Sequence, residues 1–375
     1  VTKTLDQVAR GYVPSFDGLR AIAILAVMGH NFQFEGHAAS TIGAAISRVV
    51  DWGWVGVELF FVLSGFLITG ILLDTRERRG YYSNFVARRV LRIFPIYYLT
   101  LFTAFAVIPL VTGRQIEGHE HQIWLWTYLS NWVGTLGLTV AAFPHFWSLA
   151  VEEQFYLIWP LVVKRLAPKT LVIASVVLGV IALASRVALR VWAGDAGGPY
   201  AFTVCRMDAL VLGAAAAVLL RERAIASWVD RSGVRLGLGA AALFVIGGVV
   251  TRGYPRAGLM TQTLGYSLLA VVFTVLVVLA VRAEAHGSPL ARALSWAPLR
   301  SVGKYSYAMY IFHSPLHLSV GAPLFEKLHS GPVSTSLNLL YFAVMAVVTY
   351  LAGLCSYHLI EKHFLALKRH FVSAA

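Results

Sequence analysis

Long apolar runs alternate with short polar, mostly basic interruptions along this chain, and the alternation sets the expected architecture. Runs long enough to cross a bilayer as helices occur at 17 to 35, 52 to 74, 90 to 112, 146 to 163, 170 to 192, 200 to 220, 236 to 252, 261 to 281, 301 to 323 and 337 to 360. The pattern predicts an all-α integral membrane protein, a bundle of about ten transmembrane helices. Basic residues gather between the runs, at 76 to 92 ("RERRGYYSNFVARRVLR"), 164 to 169 ("KRLAPK"), 221 to 235, 282 to 304 and in the C-terminal "KHFLALKRH". If all of these stay in the cytoplasm, both termini are cytoplasmic. One apolar, Trp-rich stretch, 123 to 143, does not fit, because a crossing there would carry "KRLAPK" outside. It is expected to be re-entrant or to lie along the outer interface, where Trp and Tyr collect.

Composition narrows the class. The 375 residues are 58% hydrophobic and 13% charged, with a mean hydropathy of +0.69, which excludes an ordinary soluble globular protein. The net charge of +13 resides in clusters that flank membrane runs, so it points to topology rather than nucleic acid. Cys205 and Cys355 lie inside apolar runs without metal spacing and are expected to be small core residues. Loops are short, so residues 1 to 375 read as a single membrane domain. Gly237, Gly239, Gly247 and Gly248 are expected at helix-packing contacts. Lys3 and Arg10 followed by an apolar run and "GHAAS" imitate a secretory signal, but cleavage there would discard the most polar pair of the first span.

That pair lies in "FDGLRAIAILAVMGH". From Arg20 to His30 a helix rises ~15 Å, about half the ~30 Å hydrocarbon core, so His30 is expected near mid-membrane. Ionisable groups at that depth usually face a protein interior or a water-filled path. Glu58 falls in the outer third of the second span and Ser64 near its middle. Glu152 and Glu153 lie in the outer half of the fourth, with one of the two facing the centre because adjacent positions diverge by ~100°. Tyr307 and His313 belong to the ninth span, "GKYSYAMYIFHSP". Two histidines and three carboxylates in one layer can hold and move protons. On the inner side Arg88, Arg89 and Arg92 stand three and four residues apart, an array suited to phosphate and equally to a plain positive-inside anchor. Arg206 and Asp208 do not face each other at this spacing, so each needs a partner on another helix. Ser64 in "FVLSGF" reads as a helper rather than a nucleophile.

Six ordered motifs, "FDGLRAIAILAVMGH", "GVELFFVLSGFLI", "ARRVLRIFPIYY", "FWSLAVEEQFYLIWP", "CRMDAL" and "GKYSYAMYIFHSP", resemble the acyltransferase type 3 family of membrane O-acyltransferases. The resemblance covers nearly the whole chain. It implies transfer of an acyl group, commonly acetyl, from cytoplasmic acyl-CoA to a hydroxyl of a saccharide, glycan intermediate or secondary metabolite such as a macrolide, in a bacterial inner membrane. It matches Arg20 and His30 to the family's first-helix pair, Arg89 and Arg92 to its Arg-x-x-Arg motif, and Glu152 or Glu153 to its "WSL" glutamate. Two departures stand out. Nine residues separate Arg20 from His30 where the family commonly has ten, a rotation of ~100° for one partner. His363 in "IEKHF" also replaces a frequent proline.

The resulting expectation is that acyl-CoA is a co-substrate, with no permanently bound cofactor and no metal. Its phosphates would rest on Arg88, Arg89 and Arg92, and Ser64 would lie beside the donor arm. His30 would act as general base oriented by Glu152 or Glu153, with an acyl-histidine intermediate as the variant. Arg206, Glu58, Tyr307 and His313 are the expected acceptor-side contacts. Many relatives carry a fused SGNH-type hydrolase domain, and a chain ending at Ala375 without one is expected to complete the transfer itself. The rival class is a proton-coupled transporter, which would show inverted repeats and broken helices that the sequence does not display.

Overall fold

The computed structural model describes residues 4–33, 41–194, 197–329, 331 and 333–371. Long helices occupy all the expected spans: α1 (Pro14–Asn31), α2 (Gly56–Thr75), α3 (Tyr81–Phe102), α4 (Trp147–Arg165), α5 (Pro168–Val187), α6 (Thr203–Leu219), α7 (Arg223–Thr251), α8 (Tyr266–Ala285), α9 (Ala297–Leu316) and α10 (Thr335–Ser356). Single π turns extend α3, α5, α9 and α10, and one precedes α8. Among the described residues, seven helical stretches are long and apolar enough to cross a membrane. This is a multi-pass membrane protein. Helices α1, α4 and α9 are not among the seven, and they share with α2 and α3 the polar residues that face a central cavity. The end of the first expected span at 34 to 35 and the "GHAAS" segment lie outside the described residues.

Helix length exceeds the apolar run in several places. The run beginning at 236 belongs to a helix that starts at Arg223, and the runs beginning at 90 and 301 belong to helices that start at Tyr81 and Ala297. Bilayer thickness limits the apolar run, whereas the backbone keeps its helical hydrogen bonds past the interface. In α7 the extension is anchored by Arg282, which donates to the Asp230 carbonyl at 2.9 Å.

The basic clusters meet on one face. Arg76 at the end of α2 donates to the carbonyls of Leu166 and Lys164 at 2.9 and 3.0 Å, beside the end of α4. Arg221 pairs with Asp74 at 2.9 Å, and the Ser15 amide at the start of α1 donates to Glu284 at 2.8 Å. Segment 123–143 forms no spanning helix. It contains only the short helices Ile123–Trp126 and Ser130–Trp132 and hangs from α3 and α4 by side chain to carbonyl bonds, Tyr97 to Leu125 at 2.7 Å and Gln154 to Tyr128 at 2.9 Å.

Glycine sets the closest helix contacts. A Cβ on Gly65 would lie 1.8 Å from the Leu210 carbonyl oxygen and one on Gly213 would lie 2.1 Å from that of Val62, so the α2 and α6 backbones touch. A Cβ on Gly303 would lie 1.8 Å from the Asp17 carbonyl oxygen, which seats α9 on α1. Gly247 packs under the Tyr254 ring, but Gly239 has nothing within 4 Å of its Cβ position and is not a packing contact. Cys205 is buried as expected, whereas Cys355 is exposed. In a bilayer apolar residues face outward as well as inward, as Leu351 and Val347 do on the same helix, so apolarity alone does not separate core from surface.

Candidate active site

A cavity of about 720 Å³ opens on the bundle between α1, α2, α3, α4 and α9, with the continuation of α10 at its rim. Its chemistry is concentrated in Arg20, Arg89, Arg92, Glu152 and Glu153, all of which line it. Arg20 is held by a relay at the start of α1. It donates to Asp17 at 3.0 Å, the other Asp17 oxygen accepts from the Tyr12 hydroxyl, and Tyr12 in turn accepts from Arg300 at 3.3 Å. Glu152 is oriented from two sides, since Ser64 donates to one oxygen at 2.8 Å and Tyr156 to the other at 3.2 Å. The Arg89 guanidinium stands over the Tyr156 ring at 5.5 Å and within electrostatic reach of both glutamates. Arg92 is exposed at the mouth. Tyr307 also lines the cavity, and its hydroxyl donates to the Ile93 carbonyl at 2.9 Å, beside Arg92.

The two-layer arrangement expected from the sequence is therefore replaced by a mixed one. Guanidiniums and carboxylates share a single cavity, and both Glu152 and Glu153 reach it, because the space is wide enough to meet two helix positions ~100° apart. Arg88 is exposed and does not line the cavity, so the cavity-facing pair on α3 is Arg89 and Arg92.

His30 lies elsewhere. It occupies the last turn of α1, with Nδ1 at 4.0 Å from Asp51 and its Cβ where a Cβ on Gly53 would come within 3.1 Å. It does not line the cavity, and neither Glu152 nor Glu153 orients it. Helical phase accounts for this. Ten positions turn the helix through about 1000°, roughly 80° short of three full turns, while eleven would return to within about 20° of the Arg20 face. The missing residue between Arg20 and His30 thus points the imidazole away from the cavity.

Glu58, Arg206 and His313 are likewise absent from the cavity lining. Arg206 pairs with Glu58 at 2.5 Å, each 1% exposed, and its guanidinium is ringed by Tyr266 at 4.2 Å, Trp147 at 5.5 Å, Tyr200 at 5.6 Å and Phe61 at 5.8 Å. Asp208 pairs with Arg186 of α5 at 2.8 Å and accepts from Ser267 at 2.7 Å. Each charge of "CRMDAL" thus has its partner on another helix. Arg186 was not legible as that partner, because nothing in its own run marks which way it faces. Tyr310 and Ser148, which close the inner end of the cavity, and His145 behind them were also missed. The signal was a polar "PH" just before "FWSL".

Taken together, the chain is a polytopic helical bundle with a charged cavity opening at its basic face. Residues 13–358 match the acyltransferase domain family, and the chain belongs to it. This membership sets aside the transporter alternative. The chain is 29% identical over 368 residues to YrhL of Bacillus subtilis (strain 168), covering 94% of this chain and 54% of that one. It is 28% identical over 341 residues to the peptidoglycan O-acetyltransferase OatA of Listeria monocytogenes, covering 86% of this chain and 52% of the relative. The O-acetyltransferase OatA of Staphylococcus aureus (strain NCTC 8325 / PS 47) is 26% identical over 372 residues, covering 93% and 57%. The chain spans about half the length of these relatives. No solved structure gives a significant match.

Proposed function

We propose that the protein is an O-acyltransferase that takes an acetyl group from acetyl-CoA, bound from the cytoplasmic face, and delivers it to a hydroxyl of a cell-envelope saccharide. The observation that carries this reading is the grouping of Arg20, Arg89 and Arg92 in one deep cavity open at the basic face. Guanidinium forks suit phosphate oxygens, and Arg92 at the mouth with Arg89 behind it offers two such forks along one helix face. A cavity of about 720 Å³ has room for the pantetheine arm and its thioester. Glu152, fixed by Ser64 and Tyr156, presents a carboxylate to the arm's amide groups. The saccharide acceptor is favoured over a macrolide by the likeness to the peptidoglycan O-acetyltransferase OatA of Listeria monocytogenes.

The test is binding and transfer by the purified chain in lipid nanodiscs, using radiolabelled acetyl-CoA and saccharide acceptors. Saturable acetyl-CoA binding that free CoA displaces, with label passing to the saccharide, is the expected result. Absence of any saturable donor binding in well-folded protein overturns the acetyl-CoA reading.

A further inference from the structure

The cavity stops at a floor. Along α9 its lining runs from Ala297 to Tyr310, and along α4 from Tyr156 back to Ser148. There the two hydroxyls bond to each other at 2.6 Å, and that of Tyr310 also donates to the His145 carbonyl at 3.2 Å. One helical turn beyond Tyr310 stands His313, which is 0% exposed. The His145 ring lies against it with centroids 4.5 Å apart, and Phe32 of the first-span segment covers it at 6.2 Å.

The hydrogen bonding of His313 fixes its proton. Nδ1 lies 2.6 Å from the Tyr310 carbonyl oxygen, and a carbonyl only accepts, so Nδ1 carries the hydrogen. Nε2 is then the unprotonated nitrogen. It is buried and has no hydrogen-bond partner among the described residues. A buried imidazole nitrogen with a free lone pair is able to receive a hydroxyl donor. The backbone carbonyl holds the ring as a carboxylate does in other imidazole bases, with the lone pair aimed away from the anchor.

We infer that His313 is the proton acceptor of the transfer, and that the acceptor hydroxyl docks at Nε2 behind the Tyr310–Ser148 floor. The inference rests on the acyl-CoA reading above. The hydroxyl O–H bond breaks with its proton passing to Nε2, while the oxygen forms the new ester bond to the acyl carbon and the carbon–sulfur bond of the thioester breaks. The departing thiolate takes the proton from the imidazolium across the Tyr310 and Ser148 hydroxyls, and His313 returns to its starting form. Tyr310 must swing from Ser148 for the thioester carbon to meet the hydroxyl, so the floor doubles as the partition between donor and acceptor. His30, turned toward Asp51, lies outside this arrangement.

The test uses the full chain in nanodiscs and in cells. His313→Gln keeps a side-chain N–H for the Tyr310 carbonyl but has no basic nitrogen. It is expected to bind radiolabelled acetyl-CoA as the unmodified chain does and to lower glycan-bound acetate, released from cells by mild alkali, with turnover down ~10²- to 10⁴-fold. His317→Asn, at the start of the π turn that extends α9, controls for structural damage. An equal loss in that variant, or turnover of His313→Gln near that of the unmodified chain, overturns the inference. Nitrogen-15 solid-state NMR of histidine-labelled protein, with His313→Gln to assign the signal, reads the tautomer without any donor. An unprotonated Nε2 supports the inference, and an Nε2–H imidazole overturns it even where acetyl-CoA binds. Failure of acetyl-CoA to bind the unmodified chain strikes the donor reading alone, because the tautomer result stands apart from it.

Discussion

Two groups of charges are embedded in this bundle, and they differ in how their partners are assigned. In the first, Glu58 with Arg206 and Asp208 with Arg186, every charge faces an opposite one across a helix contact and all four are nearly inaccessible. In the second, Arg89 and Arg92 share a cavity with Glu152 and Glu153 without direct ion pairs between the two sets. Among the described residues its one close pair, Arg20 with Asp17, lies within α1. Burying ions is costly, and a closed set recovers that cost only through good pairing. The cavity set is left electrostatically incomplete, as expected of a surface that receives a charged ligand. The lesson is that intramembrane charge alone does not mark a site; the state of its pairing does.

The largest expected effect tests the closed set. Arg186→Ala or Asp208→Ala should each destabilise the protein by ~3–5 kcal/mol, because the survivor becomes an uncompensated buried charge. Thermal unfolding in detergent reads this, and the double replacement Arg186→Met with Asp208→Leu should recover much of the loss. Loss of turnover by Arg186→Ala at unchanged stability would erase the distinction between the two groups.

Next comes Arg89→Ala, which should leave the unfolding temperature nearly unchanged and raise the KM for acetyl-CoA. A lost charge-assisted bond is worth ~1.5–3 kcal/mol, or about 10- to 100-fold. The KM for acetyl-pantetheine, which has no phosphate, should barely move. An equal rise for both donors would remove the phosphate from the role of Arg89.

A smaller change is expected from Ser64→Ala, which takes one of two hydrogen bonds from Glu152 and leaves that of Tyr156. At ~0.5–1.5 kcal/mol for one such bond, turnover should fall about 2- to 10-fold. Combining it with Tyr156→Phe should cost more than the sum of the two, since Glu152 then loses both anchors. Smallest of all should be the effect of His30→Ala on donor affinity, because ten residues of helix place it ~15 Å along α1 from Arg20 and on another face. Direct binding of radiolabelled acetyl-CoA measures it, and a marked loss of affinity would reopen the separation of His30 from the cavity.

How much of this was legible beforehand depends on the residue. Helix existence followed from apolar runs, and the failure of 123–143 to form a spanning helix followed from charge topology. The cavity residues Arg20, Arg89, Arg92 and Glu152 were marked by motif. What local pattern could not supply was direction. Arg186 and Asp208 meet through the packing of α5 on α6, and Glu58 reaches Arg206 because Gly65 and Gly213 let α2 and α6 touch. Those are tertiary facts, invisible in either run alone. For His30 the direction was present in the count of residues after Arg20, and the structure places the side chain where helical phase requires.

The Tyr310–Ser148 bond at 2.6 Å has an electrical consequence. A cavity open to one aqueous phase shares that phase's potential along its depth, so the membrane voltage does not fall evenly over the bundle but concentrates in the layer beyond these two hydroxyls. Moving one elementary charge through ~100 mV amounts to ~2.3 kcal/mol. On the mechanism inferred above, a proton passed across that thin layer senses most of the field, and the proposed acyl transfer should run at a different rate in an energised membrane than in a depolarised one.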